Sequence, residues 1–260
     1  MKKYILACCL VLSVSGPSFA ETIFRVAYGD KGTPPYYNGD GRVVPPKRPG
    51  LVIELINLIG KKLDLDVRYV RKPWADVLTA LEANEVDAIF DASFVHARQL
   101  IGRYPMERGQ PASEKSLYKR NYSLYVMKDS TLKWNGIHMS GLERSVGAKK
   151  GFAILRDLEM RRIKTASVET RLEGFAQLKS GEISAFADLE IEGDAFLGDH
   201  WNEYQDVKKI RRPLKSKYYY LMMSHEFYQK NPDLAQAIWN EIPNMLNNRA
   251  MHEIRRDYNY

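Results

Sequence analysis

The chain has 260 residues, 45% of them hydrophobic and 27% charged, which suits a folded protein of one large or two medium domains and excludes a disordered one. Its 17 glycines and 12 prolines are near average usage, so collagen-like and low-complexity classes are excluded as well. The net charge of +7 is basic but not extreme.

The first twenty residues read as an export signal. Lys2 and Lys3 precede an apolar run from Tyr4 to Val14 that is too short to span a bilayer, and Ser18-Phe19-Ala20 is a small-x-small cleavage site. Cleavage near Ala20 delivers the mature chain to the periplasm. A lipid-anchored Cys8 after Ile5-Leu6-Ala7 is an alternative, though it leaves almost no apolar run before the cut. Both cysteines, Cys8 and Cys9, fall within the signal, so the mature chain has no thiol chemistry and no disulfide. Removing Lys2 and Lys3 lowers the net charge by two, to +5. The clusters Lys149-Lys150, Arg161-Arg162, Lys208-Lys209 and Arg211-Arg212 read as a solvated basic face, and no nucleic-acid partner is expected.

Strands and helices alternate from the start, which predicts an α/β architecture with largely parallel sheets. Ile23 to Tyr28 alternates as a strand and runs into a turn-rich stretch with Gly29, Gly32 and Pro34-Pro35. Leu51, Ile53, Leu55, Ile56, Leu58, Ile59 and Leu63 recur at helical spacing, predicting a helix from Gly50 to Leu63. A strand follows at Asp66 to Val70, then a helix opened by Pro73 through Glu82, then a short buried strand from Val86 to Phe90.

A second series repeats the first: strand Ser145 to Ala148, helix Ala153 to Ile163, a strand near Thr165, helix Glu169 to Leu178, and strand Ile183 to Ala187. Leu81, Glu85, Val86, Ala88 and Asp91 recur as Leu178, Glu182, Ile183, Ala185 and Asp188, each 97 residues later. Asp91 and Asp188 thus each follow a buried strand, where ligands of open α/β sheets bind. Beyond Lys209 a strand from Lys217 to Met223 and helices Pro232 to Leu246 and Arg249 to Tyr258 have no counterpart in the second series, so they are expected to return to the first lobe.

Little in the sequence suggests an enzyme. The five histidines, His96, His138, His200, His225 and His252, lack metal-ligand spacing, and there is no glycine-flanked serine elbow or phosphate loop. Ser116-Leu117-Tyr118-Lys119 has the serine-x-x-lysine form, which is too short to be informative. No cofactor, metal site or catalytic residue is assigned.

A more informative constellation is Pro34-Pro35-Tyr36-Tyr37, Pro73-Trp74, Asp87 to Arg98, Lys150-Gly151 and Asp188. In order and spacing it resembles the family 3 periplasmic solute-binding proteins, the polar amino acid receptors of ABC importers, over residues 21 to 260. The resemblance implies a type II periplasmic-binding-protein fold: two α/β lobes joined by two hinge strands, with the ligand cleft between. The crossovers fall near Arg120 to Tyr125 and Leu214 to Tyr218. Lobe 1 then comprises 21–120 and 217–260, and lobe 2 comprises 121–216.

It further implies that Arg98 forks onto a ligand carboxylate, a match of planar guanidinium to planar anion. By the same resemblance Asp188 receives the ligand ammonium, Tyr36, Tyr37 and Trp74 flank the ligand, and the Gly151 backbone approaches it. Three departures stand out. Phe152-Ala153 replaces the usual hydroxyl residues. The Asp87 to Arg98 stretch is one residue shorter than typical, with Ser93 preferred over Phe94 as the cleft residue. Asp91 is acidic where a small or hydroxyl residue is usual. Two acids against one arginine favour a cationic ligand, a basic amino acid or related amine. The implied partner is an inner-membrane ABC permease, and the protein is expected to be a monomer. The alternatives are a lyase on the same scaffold, like the periplasmic cyclohexadienyl dehydratases, with Asp91 or His96 as the acid, and a free-standing sensor serving a membrane receptor.

Overall fold

The computed structural model describes residues 22–258. The export signal with Cys8 and Cys9 lies outside the described residues. The first series folds as β1 (Thr22–Gly29), α1 (Leu51–Leu63), β2 (Leu65–Lys72), α2 (Trp74–Glu82) and β3 (Ala88–Ser93). The strand β4 (Tyr118–Met127) leads to the second series: β5 (Val146–Lys149), α3 (Ala153–Met160), β6 (Thr165–Val168), α4 (Arg171–Ser180), β7 (Ala185–Leu189), α5 (Glu190–Asp199), α6 (Trp201–Tyr204) and β8 (Val207–Lys209). The chain returns through β9 (Lys215–Met223) and ends in α7 (His225–Lys230), α8 (Pro232–Leu246) and α9 (Arg249–Asp257).

The strands join edge to edge in the order β6-β5-β7-β4-β9-β3-β1-β2, with β8 also pairing with β4. Each series lays down its strands alike, the first strand lying parallel between the second and third. The repeat seen in the sequence is therefore a repeat of topology. Ala88 and Ala185, 97 residues apart, are the first residues of β3 and β7.

Between the two units, β4 and β9 are antiparallel and each changes partner along its length. Residues 118–122 of β4 pair with β9, and residues 122–125 pair with β7. Residues 215–219 of β9 pair with β4, and residues 219–223 pair with β3. Two strands thus carry the chain from one lobe to the other and back. The lobes have separate cores, one around Phe24, Ile53, Trp239 and Ile242 and another around Leu124, Val146, Ile154 and Ala187. The last helices do return to the first lobe, where α8 and α9 pack on α1.

Local chemistry explains where element ends differ from the sequence reading. Pro73 caps α2 from outside in extended conformation, as the restricted φ of proline allows. Helix α4 begins at Arg171, two residues later than predicted, because Thr170 Oγ1 accepts from Glu173 N at 3.1 Å and the Glu173 carboxylate accepts from Glu169 N at 2.9 Å. Helix α3 stops at Met160 rather than Ile163, and Arg162 takes a positive φ of 59° just beyond it.

Gly50 holds the junction of the turn bearing Tyr36 and Tyr37 with α1. Its φ of 127° and ψ of 150° belong to a region nearly restricted to glycine, and a Cβ there would strike the backbone of Tyr36 and Tyr37. Gly50→Ala is expected to destabilise the protein by at least about 1–3 kcal/mol from conformation alone, read as a lower midpoint of urea unfolding.

Candidate functional site

The turn after β1 is closed by Thr33, whose N–H donates to Tyr37 O at 2.7 Å and whose carbonyl accepts from Tyr36 N at 2.9 Å. The turn turns both tyrosines inward. Tyr36 stacks on Tyr118 of β4, ring centroids 4.0 Å apart, and Tyr118 stacks in turn on Tyr219 of β9. Tyr37 is buried edge-on against Tyr28 and Phe90.

Asp91 reaches this cluster through a bulge. The β3–β9 register slips by one residue between Tyr220 and Met222, and Asp91 opposite takes a left-handed φ of 66°, a conformation that Asp tolerates better than most residues. Its carboxylate accepts from Tyr37 Oη at 2.8 Å, from Tyr118 Oη, and from Arg120 Nη1 at 2.9 Å. Burial pushes its pKa up, while Arg120 and the two hydroxyls pull it back.

Arg120, with a side chain only 2% exposed, is the centre of the site. Its guanidinium lies over the Tyr36 and Tyr219 rings, and its second nitrogen donates to Glu192 Oε1 in the first turn of α5. Glu192 Oε1 also accepts from Thr33 Oγ1 at 3.1 Å. Burial alone would raise the Glu192 pKa, yet Arg120, Arg171 and Thr33 hold it below its ordinary value. First lobe, hinge strand and second lobe thus meet in Asp91–Arg120–Glu192.

Arg98 makes a second bridge. It lies in a short helical turn, His96–Leu100, donates from Nη1 to Ser93 O and from Nη2 to Gly151 O, both at 2.8 Å, and is covered by the Trp74 ring at 5.6 Å. Gly151 has a φ of 76° and stands beside Trp74. Arg98, Ser93, Trp74 and Gly151 are therefore brought together. Ser93 is buried and offers its carbonyl, which also accepts from Tyr104 Oη at 2.8 Å. Phe94 packs on the His96 and Tyr104 rings. Phe152 caps α3 without a side-chain hydrogen bond and lies under Lys149 Nζ at 4.9 Å.

Asp188 stands apart from both bridges. It is fully buried and is held by Arg171 through Nε and, at 3.3 Å, through Nη2, while its Oδ1 also accepts from Leu189 N at 2.9 Å. Burial raises its pKa against the pull of Arg171. The balance of two acids against one arginine therefore changes. Arg120 faces Asp91 and Arg171 faces Asp188, so that balance no longer favours a cationic ligand. Asp91 pairs with neither Arg98 nor His96.

The sequence reading did not single out Arg120, Arg171, Glu192, Tyr118 or Tyr219. The partners of Arg120 lie 29 and 72 positions away in the chain, and no local pattern marks them. Among the described residues no group of three or more His, Cys, Asp or Glu side chains is placed to hold a metal ion, and no helix is long and apolar enough to cross a membrane.

Solved structures share this architecture. An ancestral arginine-binding protein bound to glutamine superposes with a TM-score of 0.64 at 18% identity, covering 92% of this chain and 98% of that one. Holo ArgBP from T. maritima gives 0.61 at 16% identity, covering 91% and 96%. A histidine kinase sensor domain with similarity to periplasmic binding proteins gives 0.64 at 15% identity, covering 90% and 95%. At such identities the likeness establishes the two-lobed fold alone. These neighbours are binding proteins and a sensor domain. No curated protein matches the chain. The family model of bacterial extracellular solute-binding proteins, family 3, matches residues 25–259.

Proposed function

Because the chain belongs to the bacterial extracellular solute-binding proteins of family 3, we propose that it captures a small amino-acid-like solute between its lobes by hinge closure and delivers it to an ABC permease. The hinge is the β4–β9 pair, the lobes are 21–120 with 217–260 and 121–216, and the protein acts as a periplasmic monomer after cleavage near Ala20. It is a binder and not an enzyme.

The observation that carries this reading is Arg98, whose guanidinium joins Ser93 O of one lobe to Gly151 O of the other at 2.8 Å each. A group with five donors that spans the cleft can exchange those carbonyls for a carboxylate held between the lobes. Closure then follows from binding, because only the closed state brings Arg98 and the second-lobe backbone to the same ligand.

The test is thermal unfolding against amino acids, polyamines and small cyclic acids, since a ligand bound only by the folded state raises the midpoint. Arg98→Ala is expected to remove about 1.5–3 kcal/mol of binding per lost charged hydrogen bond, measured by titration calorimetry. Unchanged affinity would remove Arg98 from the site. A sensor role is the second reading, supported by the likeness to a histidine kinase sensor domain. Co-purification with a permease or with a membrane receptor separates the two.

A further inference from the structure

We infer that Glu192, in place of Asp188, accepts the ammonium group of the ligand, an inference that rests on the solute-binding reading above. Both Asp188 oxygens are engaged by Arg171, one of them by Leu189 N as well, and the side chain has no exposed surface. A ligand ammonium would have to displace a guanidinium to reach either oxygen.

Glu192 offers what Asp188 lacks. Its Oε1 is used by Arg120 and Thr33, but its Oε2 is buried without a hydrogen-bond partner. Buried polar atoms are almost always paired, and a charged one left unpaired is costly. A carboxylate oxygen only accepts, so whatever completes Oε2 must be a donor. The place is also right for a ligand. Thr33 belongs to the turn after β1, Arg120 to a hinge strand, and Glu192 to the first turn of α5, whereas Asp188 lies in β7. A donor bound there is held where the lobes meet.

One rival donor within the chain is Lys149; Arg171, whose charge also reaches Glu192, is already engaged by Asp188. The Lys149 ammonium lies over Phe152 and forms no ion pair within 4.0 Å among the described residues, and it lies near enough to Glu192 to feel its charge. A rotation of Lys149 onto Oε2 would make Glu192 structural.

Titration calorimetry on the purified protein separates these cases, with the twenty L-amino acids, ornithine and putrescine as probes. The best-bound amino acid is paired with its 2-hydroxy acid, in which a hydroxyl replaces the ammonium. Glu192→Gln is expected to weaken the amino acid roughly thirty- to a hundredfold and to leave the hydroxy acid within about threefold. Lys149→Met is expected to leave the preference for amine over hydroxyl in place. Should Glu192→Gln not fold, Glu192→Asp serves instead, because it keeps a charge near Arg120 while drawing the carboxylate back by one methylene group, and the same loss of preference for the amine is expected.

Equal weakening of both ligands, a preference that survives in Glu192→Gln, or loss of the preference in Lys149→Met would overturn the inference and leave the solute-binding reading standing. Binding of amine-free acids alone would do the same. Absence of binding by any amino acid, amine or acid would remove the reading and the inference together.

Discussion

Replacing Arg120 by methionine is expected to destabilise the protein by about 3–5 kcal/mol, the cost of removing one member of a buried ion cluster. The arginine side chain is 2% exposed, against 12% and 13% for Asp91 and Glu192. Its loss leaves two carboxylates without a counter-ion where water cannot replace it, and it also uncovers the Tyr36 and Tyr219 rings over which the guanidinium lies. Urea unfolding should show the loss as a lower midpoint, and the triple variant R120M/D91N/E192Q should recover most of it, because the penalty belongs to the uncompensated charges. The sign with pH is set by Glu192. Its folded pKa is held below the ordinary value, so in the wild type it adds stability above its unfolded pKa of about 4.3, and this contribution fades as the pH falls through the folded value. R120M lacks it, so the two proteins should converge in acid. A gap that stays constant from neutral pH into acid would mean that Arg120 acts by packing and not by charge.

The parts of this molecule legible in the sequence are those governed by local chemistry. Helix α1 was readable because its apolar positions recur at helical spacing and become the buried face of Leu51, Val52, Ile53, Leu55, Ile56 and Ile59. Helix α8 was readable to the residue, with Pro232 at its first position and a periodic run up to Leu246. Helix α5 was not, because only Gly193 of its ten residues is buried and no apolar stripe marks it. That omission hid Glu192. Asp91 was legible as an unusual acid after a buried strand, but the bulge that aims it depends on the pairing of β3 with β9, strands more than a hundred residues apart in the chain. The resemblance brought Arg98, Trp74 and Gly151 together because those positions follow family spacing. It could not foresee Arg171, which lies on a helix face where arginine is ordinarily a solvated residue.

Asp188→Ala should separate the two roles open to that aspartate before any ligand is known. A carboxylate kept for a ligand ammonium alone is unpaired in the unliganded protein, so removing it costs little and often stabilises, whereas Glu192 keeps one oxygen for Arg120 and leaves the other open. A carboxylate that anchors an arginine behaves oppositely. Asp188 is wholly buried and Arg171 retains 23% of its side-chain exposure, so the stranded guanidinium recovers part of its hydration and the loss should lie near the lower end of the range for a broken buried pair, about 3 kcal/mol. Leu189 N loses an acceptor too, and this donor stands at the start of α5, the helix that presents Glu192. The variant should therefore unfold at lower urea concentration without ligand, and Asp188→Asn should fall between it and the wild type, since an amide oxygen still accepts from Leu189 N. A ligand-free Asp188→Ala as stable as the wild type would return Asp188 to the ligand site and leave Glu192 with Arg120 alone.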